Sequence, residues 1–106
     1  MSLVVVYVVF PDVAEAMRIG RTVVEEQLAA CINVLAPCTS IYRWQDAVEQ
    51  TDEVPALLKS SAGAVDALVA RITELHGYEV PAMVAWTADH VPAAVSEWIA
   101  RSTLVT

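Results

Sequence analysis

The sequence is poor in glycine, in cysteine and in basic residues, and each scarcity excludes a class of protein. Three glycines are scattered through 106 residues, so there is no glycine-rich loop to hold phosphates. No motif pairs a nucleophile with a base either, so we expect no enzyme. Two cysteines, Cys31 and Cys38, are too few for a disulfide framework. We therefore expect a cytoplasmic protein with both thiols reduced.

Long hydrophobic runs are missing as well. The longest apolar run, residues 3–10, is much shorter than the roughly 18 residues that a membrane-spanning helix needs. No basic residue precedes this run, because the first in the chain is Arg18, so it does not have the form of a signal peptide. We therefore expect no membrane partner.

Positive charge is scarce throughout the chain. Six basic residues stand against 13 acidic ones, which gives a formal net charge of −7. Nucleic-acid binding depends on a basic surface, so DNA and RNA are excluded as expected partners. An acidic chain is better matched to divalent cations or to basic surfaces.

Apolar residues, by contrast, are abundant. They make up 57% of the chain, against about 45–50% in ordinary domains. A chain of this length is expected to form one domain, residues 1–106. A domain so small has too much surface to bury this much apolar material alone, so we expect part of it to contact other copies of the chain.

Hydrophobic periodicity predicts an α+β domain with the order β-α-β-β-α-β and a further helix at the end. The predicted strands are residues 3–10, 31–44, 54–60 and 79–87, and the predicted helices are residues 12–30, 65–76 and a segment after Pro92. This order is typical of the ferredoxin-like fold, an antiparallel sheet with two helices on one face. Either the last helix or neighbouring subunits must cover its other face.

Local signals refine three of these elements. Asp12 and Glu15 predict a capping box at the start of the first helix, and Gly77 predicts the end of the second. The apolar stripe of the first helix is predicted to be Val13, Ala16, Met17, Gly20, Val24 and Leu28.

The segment between the second and third predicted strands is polar and favours a protruding hairpin. Pro37 predicts a bend in the long strand, and Pro55 predicts a sheet edge or an irregularity. Residues 45–53 read as a turn-rich tip. Its acids, Glu49, Asp52 and Glu53, could attract a hard cation, but as a charge run in a turn they are expected to be solvated.

Three sequence segments resemble one known family. They are LAACINVLAPCTSIYRW (28–44), EVPALLKS (53–60) and LHGYEVPAMVA (75–85). In order and spacing, residues 5–98 are similar to the CutA divalent-cation-tolerance family. One departure is His76-Gly77-Tyr78, where the family usually has His-Pro-Tyr. Another is that only Cys31 remains of the cysteines linked to copper in the family.

The resemblance implies a ferredoxin-like fold and a tight homotrimer in which hairpin strands pair across subunits. It also implies a role in the response to divalent metal ions, copper binding among them. No cofactor is expected to be required, although a bound divalent cation, Cu or Zn, is consistent with the family.

Three residues are candidate metal ligands: Cys31, His76 and Glu79. The Cys31 thiolate is a soft donor suited to Cu(I) or Zn(II), but a small buried apolar residue would serve equally well there. His76 and Glu79 could share a metal or a polar ligand at a subunit junction. Alternatively, His76 caps a helix end and Glu79 pairs with a base.

Aromatic residues and the single lysine complete the list of candidates. Trp44, Lys59 and Tyr78 are predicted to line a ligand cleft with His76 and Glu79, although a salt bridge would also explain Lys59. Tyr42 and Trp44 are predicted to lie at the trimer interface, because aromatic residues are enriched in interfaces. Packing within one subunit is the alternative for both.

Three functions follow from these observations. The first is a trimeric metal-response protein that binds divalent cations weakly at subunit junctions. The second is a small-ligand sensor, by analogy with ferredoxin-like trimers of the PII type. The third is a structural trimer that anchors a partner protein.

Overall fold

The computed structural model describes residues 2–104; Met1, Val105 and Thr106, at the ends of the predicted domain, lie outside the described residues. The elements are β1 (Leu3–Phe10), α1 (Val13–Glu25), β2 (Cys31–Val34), β3 (Cys38–Trp44), β4 (Ala47–Ser61), α2 (Val65–Leu75), β5 (Met83–Thr87) and α3 (Ala93–Ser102). The strands lie in the order β2-β4-β1-β5, β3 extends the sheet along β4, and all four pairings are antiparallel. The predicted α+β class is confirmed. Among the described residues, the helices are too short or too polar to cross a membrane.

Strand β1 lies inside the sheet between β4 and β5. Its side chains alternate between the two faces, and Val6, Val8 and Phe10 are fully buried against α1 and α2. On the opposite face Leu3 and Val9 are buried, whereas Val5 and Tyr7 between them are only half-buried. The prediction that β1 is buried on both faces therefore holds fully for one face of the single chain and only near the two ends of the strand for the other.

The apolar stripe of α1 differs from the predicted one. The buried residues are Ala16, Ile19, Gly20 and Val23, whereas Met17 is 60% exposed. Two adjacent stripes of α1 are apolar, so periodicity alone does not select the one that faces the sheet. The helix also ends at Glu25, earlier than predicted, because Gln27 turns the chain with a φ of 62°.

The two predicted helix signals are only partly realised. Asp12 Oδ1 accepts a hydrogen bond from the Glu15 backbone N–H at 2.8 Å, which is one half of the capping box. The Glu15 carboxylate instead accepts from the Gly77 N–H at 3.3 Å. Gly77 follows the end of α2 as predicted, but without a positive φ. Its lack of a side chain matters for space, because a Cβ there would lie 2.8 Å from Glu15 Oε1.

The hairpin of β3 and β4 is longer and more regular than predicted. Residues 47–53, predicted as part of a turn-rich tip, belong to β4, and the turn itself is only Gln45 and Asp46, with φ values of 49° and 66°. Its strands can be polar because residues 41–50 are all exposed to solvent. The molecule consequently measures 44 × 25 × 23 Å.

Both proline predictions for this region are confirmed. Pro37 lies in the break between β2 and β3. Pro55 lies where β4 changes partners, since the pairing with β2 ends at Ala56 and the pairing with β3 begins at Glu53. The last strand is shorter than predicted, because residues 79–82 precede the start of β5 at Met83.

The second sheet face is only partly covered. Near one end of β4, α3 contributes the buried Ile99, and the Thr103 hydroxyl donates to Ser61 Oγ at 3.0 Å. Further along the face, Val84 and Trp86 of β5 stay 60% and 48% exposed. The last helix therefore covers only part of this face.

Candidate functional site

A cleft of about 640 Å³ opens between the hairpin and the segment that links α2 to β5. The hairpin contributes Tyr42, Trp44 and Glu53, and the linking segment contributes Tyr78 and Glu79. Four of these residues were predicted site residues: Tyr42, Trp44, Tyr78 and Glu79. The structure thus brings the predicted aromatic residues together with one predicted carboxylate in a single concave surface.

The alternation of the hairpin strands positions the cleft residues. Tyr42 and Trp44 are two residues apart on β3, so both side chains lie on the same face of the hairpin. Glu53 of β4 is the cross-strand partner of Cys38 in that same row. Asp52, the next residue, belongs to the opposite face and is exposed.

A chain of hydrogen bonds fixes Tyr78. His76 Nε2 donates to the Val9 carbonyl at 2.7 Å, and His76 Nδ1 accepts from the Tyr78 backbone N–H at 3.0 Å. These partners select the neutral Nε2–H tautomer, because a carbonyl accepts and an amide N–H donates. The ring is buried and stacks on Phe10 with centroids 5.1 Å apart. Both ring nitrogens of His76 are therefore occupied within the chain, which leaves neither for a metal.

Tyr78 in turn orients a carboxylate. Its hydroxyl donates to Glu53 Oε2 at 2.7 Å. Burial, followed by this hydrogen bond and the negative charge of Glu53, raises the pKa of Tyr78 well above its usual range. Tyr78 consequently stays protonated and remains a donor to Glu53 at neutral pH.

The burial of Glu53 differs from the prediction. This residue is only 8% exposed, although it was predicted to be a solvated acid of the hairpin tip. In residues 2–104 every buried side-chain oxygen has a hydrogen-bond partner, and Glu53 Oε1 has no protein partner, so this oxygen reaches the cleft surface. The sequence held one signal for this: Glu53 directly precedes the apolar run 54–58.

Cys31 and Lys59 lie on the same face of the sheet as Glu53, but about 20 Å further along β4. Lys59 Nζ donates to Asn33 Oδ1 at 3.0 Å and lies 3.9 Å from Cys31 Sγ. Within the described part of the chain Lys59 has no carboxylate partner, so the predicted salt bridge is absent there. Within one chain, Lys59 is also outside the cleft that it was predicted to line.

The three predicted metal ligands do not converge in one chain. Cys31 pairs with Lys59, which is opposite Val5 of β1, whereas His76 binds the carbonyl of Val9. Four residues of β-strand separate these positions, or about 13 Å. Within residues 2–104 no three His, Cys, Asp or Glu side chains are placed to hold a metal together.

The chain is similar to proteins whose names refer to divalent cations. Residues 4–102 match the family model described as CutA1 divalent ion tolerance protein. The chain is 35% identical to the divalent-cation tolerance protein CutA of Pyrococcus horikoshii, across 95% of this chain and 98% of that protein. It is 32% identical to human protein CutA, across 96% of this chain and 57% of that protein. The solved structure of the Thermus thermophilus divalent cation tolerance protein superposes with a TM-score of 0.91 at 36% identity, covering 95% of this chain and 98% of that one.

Proposed function

The chain belongs to the CutA1 divalent ion tolerance protein family, and from that premise we propose that it is a non-enzymatic, homotrimeric metal-response protein of the cytoplasm that binds divalent cations weakly. The observation that carries the proposal is the cleft in which Tyr78 holds the buried Glu53 beside Glu79. Carboxylate oxygens are ligands for divalent cations.

Weak binding follows from the number of ligands. Each cleft offers two carboxylates, from Glu53 and Glu79, whereas tight sites for Zn²⁺ use about four protein ligands. The cleft is also open, and the hairpin that forms one of its walls projects from the body of the molecule. A second copy of the chain that packs against the hairpin would supply further ligands, so we place the cleft at a subunit junction.

The trimer and the ferredoxin-like topology are part of the same proposal. The strand order β2-β4-β1-β5 and the two helices on one face support the ferredoxin-like assignment. Apolar side chains that one chain leaves exposed support association: Ile41 and Val48 on the hairpin, and Val84 and Trp86 on the second sheet face. Tyr42 and Trp44 remain our candidates for residues near the contact.

Calorimetric titration of the reduced protein with Cu²⁺ and with Zn²⁺ tests this function. We expect weak binding that E53Q reduces about tenfold, because the amide keeps the shape of Glu53 but removes its charge. D52N is the matched control, since Asp52 is the next residue and faces away from the cleft. If E53Q and D52N bind the metal with equal affinity, the metal site does not lie in the cleft, and Cys31 becomes the candidate ligand.

A small-ligand sensor is the second candidate, and the walls of the cleft favour it. Tyr42, Trp44 and Tyr78 are aromatic, and a volume of about 640 Å³ falls within the usual 300–1,000 Å³ range of small-molecule sites. Titration with a panel of nucleotides separates this function from the metal response. A trimer that binds neither class of ligand would support the third function, the anchoring of a partner protein.

A further inference from the structure

We propose that the cleft is a binding site for a monovalent organic cation, an alkylammonium group held between Tyr42, Trp44 and Tyr78 and the Glu53 carboxylate. This inference rests on the proposed function only for the position of the ligand site. It assigns to that site a ligand class that differs from a divalent metal ion in size, charge and hydration.

The aromatic walls are the first reason. Tyr42 and Trp44 are 39% and 40% exposed, so part of each ring is available to a ligand, and Tyr78 lines the cleft from the other side. Aromatic faces carry negative potential and attract cations that shed water easily. A strongly hydrated divalent ion gains less from an aromatic face, because the face of a ring does not replace the water that the ion holds. The composition of the walls therefore favours a weakly hydrated organic cation.

The placement of Glu53 is the second reason. It is more than nine-tenths buried, and its Oε2 accepts from the Tyr78 hydroxyl at 2.7 Å. Within residues 2–104 the other oxygen has no protein partner and is not itself buried, so it is open to a ligand in the cleft. A cation at this oxygen would compensate the charge of a carboxylate that is otherwise largely buried.

The negative charge of the cleft is the third reason. The carboxylates of Glu53 and Glu79 line it, whereas Arg43 alternates with Tyr42 and Trp44 along β3, so its side chain belongs to the opposite face of the hairpin. The net charge of the cleft wall is therefore negative, which favours a cationic ligand over a neutral or anionic one. Glu49, the cross-strand partner of Tyr42, adds negative potential outside the cleft and steers cations towards it.

The test is an amide and indole NMR titration of the full chain with tetramethylammonium chloride. We expect saturable shifts at the Trp44 indole and the Tyr78 amide with a millimolar Kd. Two probes separate charge from shape: tert-butanol, neutral and of similar size, should bind at least tenfold more weakly, and acetate should produce no shifts at these positions. Equal shifts with tetramethylammonium and tert-butanol, or no saturable shift up to about 100 mM salt, would overturn the proposal.

Two variants assign the binding to the cleft. W44L and E53Q should each weaken tetramethylammonium binding about tenfold, and light scattering on both variants checks that the assembly is that of the parent. D52N on the opposite hairpin face should bind like the parent. Unchanged affinity in both W44L and E53Q would refute the assignment of this cleft.

Titration with Cu²⁺ and Zn²⁺ under the same conditions separates this proposal from the metal-response function. Binding of tetramethylammonium without binding of either metal supports the organic-cation site and removes the metal function. Binding of the metals at Glu53 without binding of tetramethylammonium supports the metal function and refutes the organic-cation site. Competition between tetramethylammonium and a metal shows that both ligands bind in the same cleft.

Discussion

His76 shows how one buried side chain can organise a site without taking part in it. Its ring bridges the Val9 carbonyl and the Tyr78 amide, and Tyr78 then holds Glu53 at the cleft wall. The imidazole was a candidate metal ligand because of its residue type. In the fold, its nitrogens serve the backbone, and a phenol and a carboxylate from other positions face the cleft instead.

The hydrogen bond between Tyr78 and Glu53 should be visible in an alkaline titration. Burial and the neighbouring carboxylate raise the pKa of Tyr78 above the ordinary tyrosine value of about 10. The folded state therefore holds this proton more tightly than the unfolded chain does. Its contribution to stability is complete below pH of about 10 and is lost as the pH rises towards the folded-state pKa.

NMR of protein labelled with ¹³C in the tyrosine rings, assigned by the signal that disappears in Y78F, measures this ionisation. E53Q should lower the pKa of Tyr78 relative to the parent, because it removes the negative charge beside the hydroxyl. D52N should leave it unchanged. Ionisation of Tyr78 at or below the ordinary tyrosine value would contradict the hydrogen bond.

At the scale of elements, the packing of α1 on β2 depends on a glycine. Gly20 is buried in α1, and a Cβ at this position would lie 2.7 Å from Ile32 Cδ1 and 2.8 Å from Ile32 Cγ2. Alanine would normally stabilise a helix interior relative to glycine by up to about 1 kcal/mol. Here the close approach of β2 opposes that gain.

G20A should therefore destabilise the protein by about 1–3 kcal/mol, since an added methyl group in a packed interior forces its neighbours to move. Urea unfolding measures the change. In the I32A background G20A should cost much less stability than it does in the parent, because the two side chains then no longer overlap. G63A is the control, since Gly63 is exposed in the turn before α2. Stabilisation by G20A would show that β2 moves aside freely.

The hairpin illustrates why the boundaries of elements were harder to predict than their existence. Strand 3–10 and helix 65–75 agree with the predictions to within one residue, because each has a clear pattern. The strand predicted over 31–44 is divided at the predicted bend, Pro37, into β2 and β3. Residues 47–53 do not read as a strand, because most of this segment is exposed on both faces of the hairpin and needs no hydrophobic alternation. Backbone pairing with β3 holds this segment in place.

At the scale of the whole molecule, the exposed second sheet face is the clearest sign of association. Light scattering at micromolar concentration should give about three times the chain mass of 11.5 kDa. Val84 is 60% exposed in the single chain. A charged residue in its place should lower the mass of the assembly measured by light scattering, because burial of an unpaired charge between subunits is costly.

V84E and M17E form a matched pair for this test. Met17 is also 60% exposed but lies on α1, on the helical side of the sheet. We expect V84E to shift the mass towards the monomer and M17E to keep the parental mass. A parent that is monodisperse as a monomer or dimer would refute the trimer, and an unchanged mass in V84E would place the contact away from this face.

The sequence by itself determined the class of fold, the order of its elements and the family, because these depend on local periodicity, on proline positions and on segments in register along the chain. Only the tertiary structure decided which stripe of α1 is buried, since both stripes are apolar and only contact with the sheet selects one. It also decided the site. Glu53 and Tyr78 are 25 residues apart, and the pairing of β3 with β4 brings the aromatic residues to that carboxylate. Lys59 and its partner Cys31 lie on the same face of the sheet, about 20 Å further along β4. Such a convergence depends on the register between strands, which the hydrophobic pattern of a polar hairpin does not specify.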